Sequence, residues 1–170
     1  VYTDLTNASA VQETTYFTSS GTSTQSITSD AFAYLDSFGR VIQNRSRAEG
    51  TAPDGSLIYT VSDTAYDEHG RVERASLPYS SFGTGRTAAV TDPLLLTNYA
   101  YDVLDRVTSV TDSIGVTGTT YEVWDTTVTD PNSHFKKFGH DAFQRLVRVD
   151  EFISATSSAY ITTYDYTTAG

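Results

Sequence analysis

The chain has 170 residues, of which 21 are acidic and 11 basic, for a formal net charge of −10, and it contains neither cysteine nor methionine. Without cysteine there is no disulfide scaffold and no cysteine-ligated metal site, and the acidic balance speaks against a nucleic-acid partner, which needs a basic stripe to neutralise phosphates. Apolar runs such as Pro93-Leu94-Leu95-Leu96 fall far short of the ~20 residues of a membrane helix, so no membrane span is expected, and no basic segment precedes an apolar one as in a signal peptide.

A chain that opens on Val1 and lacks methionine is expected to be a processed product or a segment of something longer. Ser and Thr are abundant, and 12 Tyr and 8 Phe stand against 1 Trp. Thr, Tyr, Phe and Val suit strands, and no stretch rich in Ala, Leu and Glu favours a helix. Disordered chains are poor in aromatic and β-branched residues. The expected fold class is therefore all-β.

Residues 1–30 form a divergent Ser/Thr-rich segment. Gln12-Glu13-Thr14-Thr15-Tyr16-Phe17 reads as a strand, and Ser19 to Ser29 reads as a long loop or hairpin tip. Further strands are expected at Leu57–Val61, Asn98–Tyr101, Arg106–Val110 and Tyr121–Trp124, where short runs are alternating or β-branched. Turn signals separate them at Asp54-Gly55, Gly83-Thr84-Gly85 and Asp130-Pro131-Asn132-Ser133.

An internal repeat runs through residues 31–170. Its pattern is an aromatic or apolar residue, Asp, two variable residues, Gly, Arg and an aliphatic. The copies are Leu35-Asp36-Ser37-Phe38-Gly39-Arg40-Val41, Tyr66-Asp67-Glu68-His69-Gly70-Arg71-Val72, Tyr101-Asp102-Val103-Leu104-Asp105-Arg106-Val107 and His140-Asp141-Ala142-Phe143-Gln144-Arg145-Leu146. A fifth is expected to start at Tyr164-Asp165-Tyr166. The arginines at 40, 71, 106 and 145 are 31, 35 and 39 residues apart, which places insertions in the connections. Asp at the first turn position caps the turn, and Gly at the fourth takes positive φ. Such a turn closes a hairpin through a bulge. The residue before Asp and the aliphatic after Arg then face each other, while Arg can meet a carboxylate or an aromatic face. Asp105 and Gln144 replace Gly, so their turns are expected to be less regular. Because a lone hairpin is marginal in water, the hairpins are expected side by side in one continuous twisted antiparallel sheet.

Recurring Tyr-Asp-x-x-Gly-Arg-Val among Thr- and Tyr-rich strands resembles the YD repeat of Rhs (rearrangement hotspot) proteins, of the B and C components of bacterial Tc toxins, and of teneurins. Arg74-Ala75-Ser76-Leu77-Pro78-Tyr79 and Thr127-Val128-Thr129-Asp130-Pro131-Asn132 are similar to the same family. The resemblance implies a segment of a larger hollow shell, secreted or at the cell surface, that encloses a C-terminal toxic cargo of the same polypeptide. The partners would be the rest of that polypeptide and its cargo domain. Asp92-Pro93-Leu94-Leu95-Leu96 lacks the glycine of the family's aspartyl self-cleavage motif, so that site is not expected here.

Other readings of the residues are blander. His134 and His140 share a strand face, but no third ligand has metal-site spacing, and His69 fills a variable turn position. The turn acids Asp36, Asp67, Asp102 and Asp141 do not stack as in a calcium loop. No nucleophile elbow is present, and Gly83-Thr84-Gly85-Arg86 lacks the Walker pattern. No enzyme activity, metal or cofactor is expected. Tyr99 with Tyr101, and Tyr164 with Tyr166, could form a carbohydrate platform, the basis of an alternative as an extracellular module binding cell-surface glycans; packing between repeats is the favoured role. The structural residues of the repeat are Asp36, Gly39, Arg40, Tyr66, Asp67, Gly70, Arg71, Tyr99, Tyr101, Asp102, Arg106, Asp141, Arg145, Tyr164 and Tyr166.

Overall fold

In a computed structural model of the chain, residues 2–5, 8–17 and 27–167 are described, with side chains from residue 30 onward. The fold is all-β, with antiparallel pairing throughout and a single turn of 3-10 helix at Pro93–Leu95. The chain divides into two units, Val1–Thr97 and Asn98–Gly170. Neither closes into a barrel.

The first unit contains β1 (Tyr2–Leu5), β2 (Ala8–Phe17), β3 (Ile27–Leu35), β4 (Val41–Thr51), β5 (Leu57–Tyr66), β6 (Val72–Ser76) and β7 (Tyr79–Phe82). Strands β1 to β5 lie in chain order, each antiparallel to the next. The strand expected at 12–17 is thus the C-terminal part of β2. Residue 30 falls inside β3, so the N-terminal segment runs into the first repeat without a break. Of the loop expected from Ser19 to Ser29, residues 19–26 lie outside the described residues, and Ile27 to Ser29 open β3 instead.

Strands β6 and β7 share one edge of β5. Thr64 and Ala65 pair with Ala75 and Arg74, and Ile58 to Val61 pair with Phe82 to Tyr79. Leu77-Pro78 interrupts them, since proline cannot donate to a ladder. Leu77 N–H turns away to the Leu95 carbonyl at 2.7 Å, and the Ser76 hydroxyl takes the Asp63 N–H at 2.8 Å.

The inward face of this sheet follows the two-residue period of strands. It carries Phe32 and Tyr34 from β3, Gln43 and Arg45 from β4, and Tyr59, Val61 and Asp63 from β5. Residues 82–91 pass over it. Tyr34, Tyr59, Val61, Gln43 and Arg45 are the most completely buried side chains, and Phe32 meets Tyr59 edge-on at 5.9 Å.

The second unit is a meander of β8 (Leu96–Tyr101), β9 (Val107–Thr111), β10 (Val116–Tyr121), β11 (Asp125–Thr129), β12 (Phe135–His140), β13 (Leu146–Phe152) and β14 (Tyr160–Thr163). Among the described residues, β9 to β14 each pair only with their sequence neighbours. Asp150 is the one described side chain here that counts as buried, so this unit is a single layer without a core of its own. One expected strand is corrected. Tyr121 ends β10, whereas Glu122-Val123-Trp124 makes a tight turn in which Glu122 N–H bonds the Asp125 carbonyl at 2.8 Å. The β-branched and aromatic character of Val123 and Trp124 gave way to that short connection.

Candidate functional site

The four complete repeat copies form hairpin turns of one geometry. In the first, Asp36 N–H donates to the Arg40 carbonyl at 2.9 Å, and Gly39 N–H to the Asp36 carbonyl at 3.0 Å. Asp36 Oδ1 accepts the N–H groups of Phe38 and Arg40, each at 2.9 Å, while Oδ2 takes Arg40 Nε at 2.7 Å. Asp67 binds His69 and Arg71, Asp102 binds Leu104 and Arg106, and Asp141 binds Phe143 and Arg145 in the same pattern. One oxygen therefore caps the turn and the other anchors the arginine. At Asp36, Asp67 and Asp102, partial desolvation opposes ionisation, but the hydrogen bonds outweigh it and lower the pKa. At Asp141 the side-chain hydrogen bond from Arg145 leads, again lowering the pKa.

Leu35 faces Val41, Tyr66 faces Val72, Tyr101 faces Val107 and His140 faces Leu146. Just inside each of these pairs the register slips by one residue. Ile42, Glu73, Thr108 and Val147 are the extra residues, and bulges of this kind increase local twist.

Arg40, Arg106 and Arg145 also reach the chain beyond their own hairpin. Arg40 lies over the Tyr66 ring at 4.4 Å, Arg106 over Tyr121 at 4.2 Å and Arg145 over Tyr166 at 4.6 Å. The tyrosine hydroxyl then donates to the carbonyl of the residue after the arginine: Tyr66 to Val41 at 3.1 Å, Tyr121 to Val107 at 2.9 Å and Tyr166 to Leu146 at 2.7 Å. Carboxylate, guanidinium and phenol thus form a three-part lock joining one hairpin to the strand beyond it. Arg40 and Arg145 additionally reach Phe38 and Phe143, each at 5.2 Å.

Two expectations change, and one expected turn gains detail. The turns at Asp105 and Gln144 are as regular as the glycine turns: both residues sit at φ 61°, with N–H bonds to the Asp carbonyl of 3.1 and 2.9 Å. The surrounding hydrogen bonds hold the left-handed backbone that their own preference disfavours. Second, the phase of the last copy shifts by two. Tyr166, not Tyr164, occupies the place of Tyr66 under an arginine, so Thr167 stands where the other copies have Asp. Third, Asp130-Pro131-Asn132-Ser133-His134 forms the same turn, with Ser133 at φ 66° and His134 Nδ1 3.1 Å from Asp130 Oδ2. The turn expected at Asp130-Pro131-Asn132-Ser133 thus forms, with histidine in the arginine position. Tyr99 is half-buried opposite Val110.

A polar cluster that the repeat pattern did not reveal lies under residues 82–91. Arg45 donates to the Phe82 and Gly83 carbonyls at 3.0 Å each, and to Gln43 Oε1 and Thr87 Oγ1 at 3.2 Å each. Gln43 Nε2 donates to Asp63 Oδ1 at 2.7 Å, and Thr87 N–H returns to Gln43 Oε1 at 3.1 Å. Asp63 Oδ2 accepts the Tyr79 hydroxyl at 2.8 Å and the Val90 N–H at 2.9 Å. The Tyr34 hydroxyl donates to the Thr84 carbonyl. Among the described residues Arg45 Nε and the Tyr59 hydroxyl have no hydrogen-bond partner. Burial raises the pKa of Tyr34 and Tyr59; at Tyr79 burial and the Asp63 carboxylate do so together. The Gly83-Thr84-Gly85 segment is therefore the start of a strap that supplies backbone carbonyls. Asp92 caps the 3-10 turn, accepting Leu94 N–H at 3.0 Å.

Among the described residues no group of three or more His, Asp or Glu is placed to hold a metal ion. His134 engages Asp130, and His140 N–H bonds the Trp124 carbonyl at 2.8 Å. No family model matches the chain, and no curated protein is similar to it.

Proposed function

We propose that the chain is a wall segment of an Rhs- or Tc-like β-shell, whose work is to enclose and protect a C-terminal cargo of the same polypeptide. The observation that carries this reading is the Asp–Arg–Tyr lock, present at Asp36–Arg40–Tyr66, Asp102–Arg106–Tyr121 and Asp141–Arg145–Tyr166. It gives the repeat a mechanical role in joining hairpin to hairpin. The single-layer second unit fits a wall better than a self-contained domain, since ordinary domains pack two layers about a core. Continuous pairing also leaves few free edges. Glycan binding by the Tyr99–Tyr101 and Tyr164–Tyr166 pairs has less support, because Tyr99 is half-buried and Tyr166 already engages a guanidinium and a carbonyl.

The test is limited proteolysis of the chain expressed within its full reading frame. Enclosure is expected to leave the segment downstream of the repeats uncut until denaturant opens the repeats. Cleavage of that segment under native conditions, at the rate of the isolated segment, would refute the reading.

A further inference from the structure

At one end of the second unit the meander turns back three times, at residues 102–106, 122–124 and 141–145. Successive tips stand two strands apart, a spacing of roughly 10 Å. Val103, Leu104, Val123, Trp124 and Phe143 lie on these tips and are 98, 67, 81, 50 and 78 % exposed. A single exposed apolar residue is ordinary on a protein surface, whereas a set gathered at one place marks a contact. Arg145 meets the Phe143 ring at 5.2 Å, and Phe143 keeps its exposure all the same. The tips are strand ends, so a further strand added to either side of the sheet would extend the row and leave these five side chains where they are. Behind the tips the cations are paired. Arg106 holds Asp102 and Arg145 holds Asp141, each at 2.7 Å, and Lys137 lies 2.8 Å from Asp125 and 3.6 Å from Glu122. With Asp105, this end of the sheet sets five carboxylates against those three cations, so acid is in excess.

We propose that this rim of hairpin tips docks on a membrane surface of zwitterionic, choline-headgroup lipid, with Trp124 at the level of the headgroups. Apolar knobs on separate tips need no matching pockets in a lipid surface, where each enters between headgroups on its own. Tryptophan favours that boundary, since its ring is apolar and its N–H polar. The outermost charge of a choline lipid is a quaternary ammonium, which aromatic faces and carboxylates attract, and the excess of acid at this end supplies the complement. The same excess repels anionic lipid, which draws basic segments instead. Arg106 and Arg145 stay on their aspartates and on Tyr121 and Tyr166, so the tips enter without leaving either guanidinium unpaired. The contact lies on the bilayer and needs no segment that crosses it. It does not rest on the enclosure of a cargo.

The test is flotation of the full chain with phosphatidylcholine vesicles, read together with the emission of Trp124, the one tryptophan of the chain. Wild type is expected to float with the vesicles. Its emission is expected to shift to the blue and to be quenched by lipid brominated high in the acyl chains. Admixture of phosphatidylserine is expected to weaken binding. Leu104→Glu/Phe143→Glu is expected to reduce binding by about tenfold or more, because both side chains lose their transfer from water. Val103→Glu, at the most exposed of the five sites, is expected to weaken binding in the same direction and guards against a folding defect in the double variant. Ile114→Glu, 79 % exposed on a turn at the opposite end of the sheet, is expected to bind as wild type does. A wild type that does not float with phosphatidylcholine overturns the proposal. So does binding that requires phosphatidylserine, or that Ile114→Glu weakens as much as the tip variants do. A blue shift that grows with protein concentration in the absence of vesicles would make the rim a contact between copies, and overturns it as well.

Discussion

At the scale of single residues, the turn depends on a left-handed residue three positions after Asp. Gly70 holds φ +84°, and a Cβ there would meet Arg40 Nη1 at 3.3 Å. Gly70→Ala is expected to destabilise the chain by about 1 kcal/mol, the cost of a left-handed L-residue, seen as a lower urea midpoint. The converse applies at Gln144, which already bears that cost: Gln144→Gly is expected to raise the midpoint, since glycine adopts φ 61° freely. The capping carboxylates add a pH dependence. Their folded pKa values lie below the unfolded value, so their contribution is complete above an unfolded pKa of about 3.9 and is lost as pH falls through the folded values. Urea midpoints are expected to hold steady down to about pH 5 and to fall below about pH 4. The Asp36→Asn/Asp67→Asn/Asp102→Asn/Asp141→Asn variant is expected to flatten that fall. An equally steep fall in the variant would place the acid sensitivity elsewhere.

At the scale of elements, β4 shows what a pattern of polar and apolar residues cannot convey. Gln43 and Arg45 alternate with Asn44 and Ser46, so all four read as polar and the inward face has no apolar signature. Burial of Arg45 becomes evident only once residues 82–91 return over the sheet and present the Phe82 and Gly83 carbonyls. By contrast, the hairpins were legible because Asp, Gly and Arg act within five residues, where spacing alone decides which atoms meet. The turn at Asp130 was legible as a turn, but the register slips at Ile42, Glu73, Thr108 and Val147, each two residues after a repeat arginine, share no residue type that would mark them. Arg45→Met keeps bulk but leaves buried carbonyls without donors, and is expected to cost about 3 kcal/mol. The strap should loosen first, so trypsin cleavage after the exposed Arg86 should accelerate before global unfolding. Unchanged cleavage at Arg86 would mean that contacts other than Arg45 retain the strap.

At the scale of the whole molecule, order is carried from neighbour to neighbour more than by a shared core. From β9 to β14 each described strand pairs only with the strands before and after it, and the locks join hairpins in sequence. Repeat assemblies of this kind behave as one-dimensional chains of nearest-neighbour terms, so damage stays near its source. Tyr166→Ala removes the ring under Arg145 and the donor to the Leu146 carbonyl. Faster amide exchange is expected in β13 and β14, while β9 and β10, stapled by Arg106 and Tyr121, keep wild-type protection. A core-dominated sheet would respond differently, because loss of one packing element lowers the protection of every strand that shares the core. Hydrogen exchange resolved by strand separates the two. A uniform loss of protection from β9 to β14 would show that the second unit unfolds as one body, and that the lock serves global stability and not the local joining of one hairpin to the next.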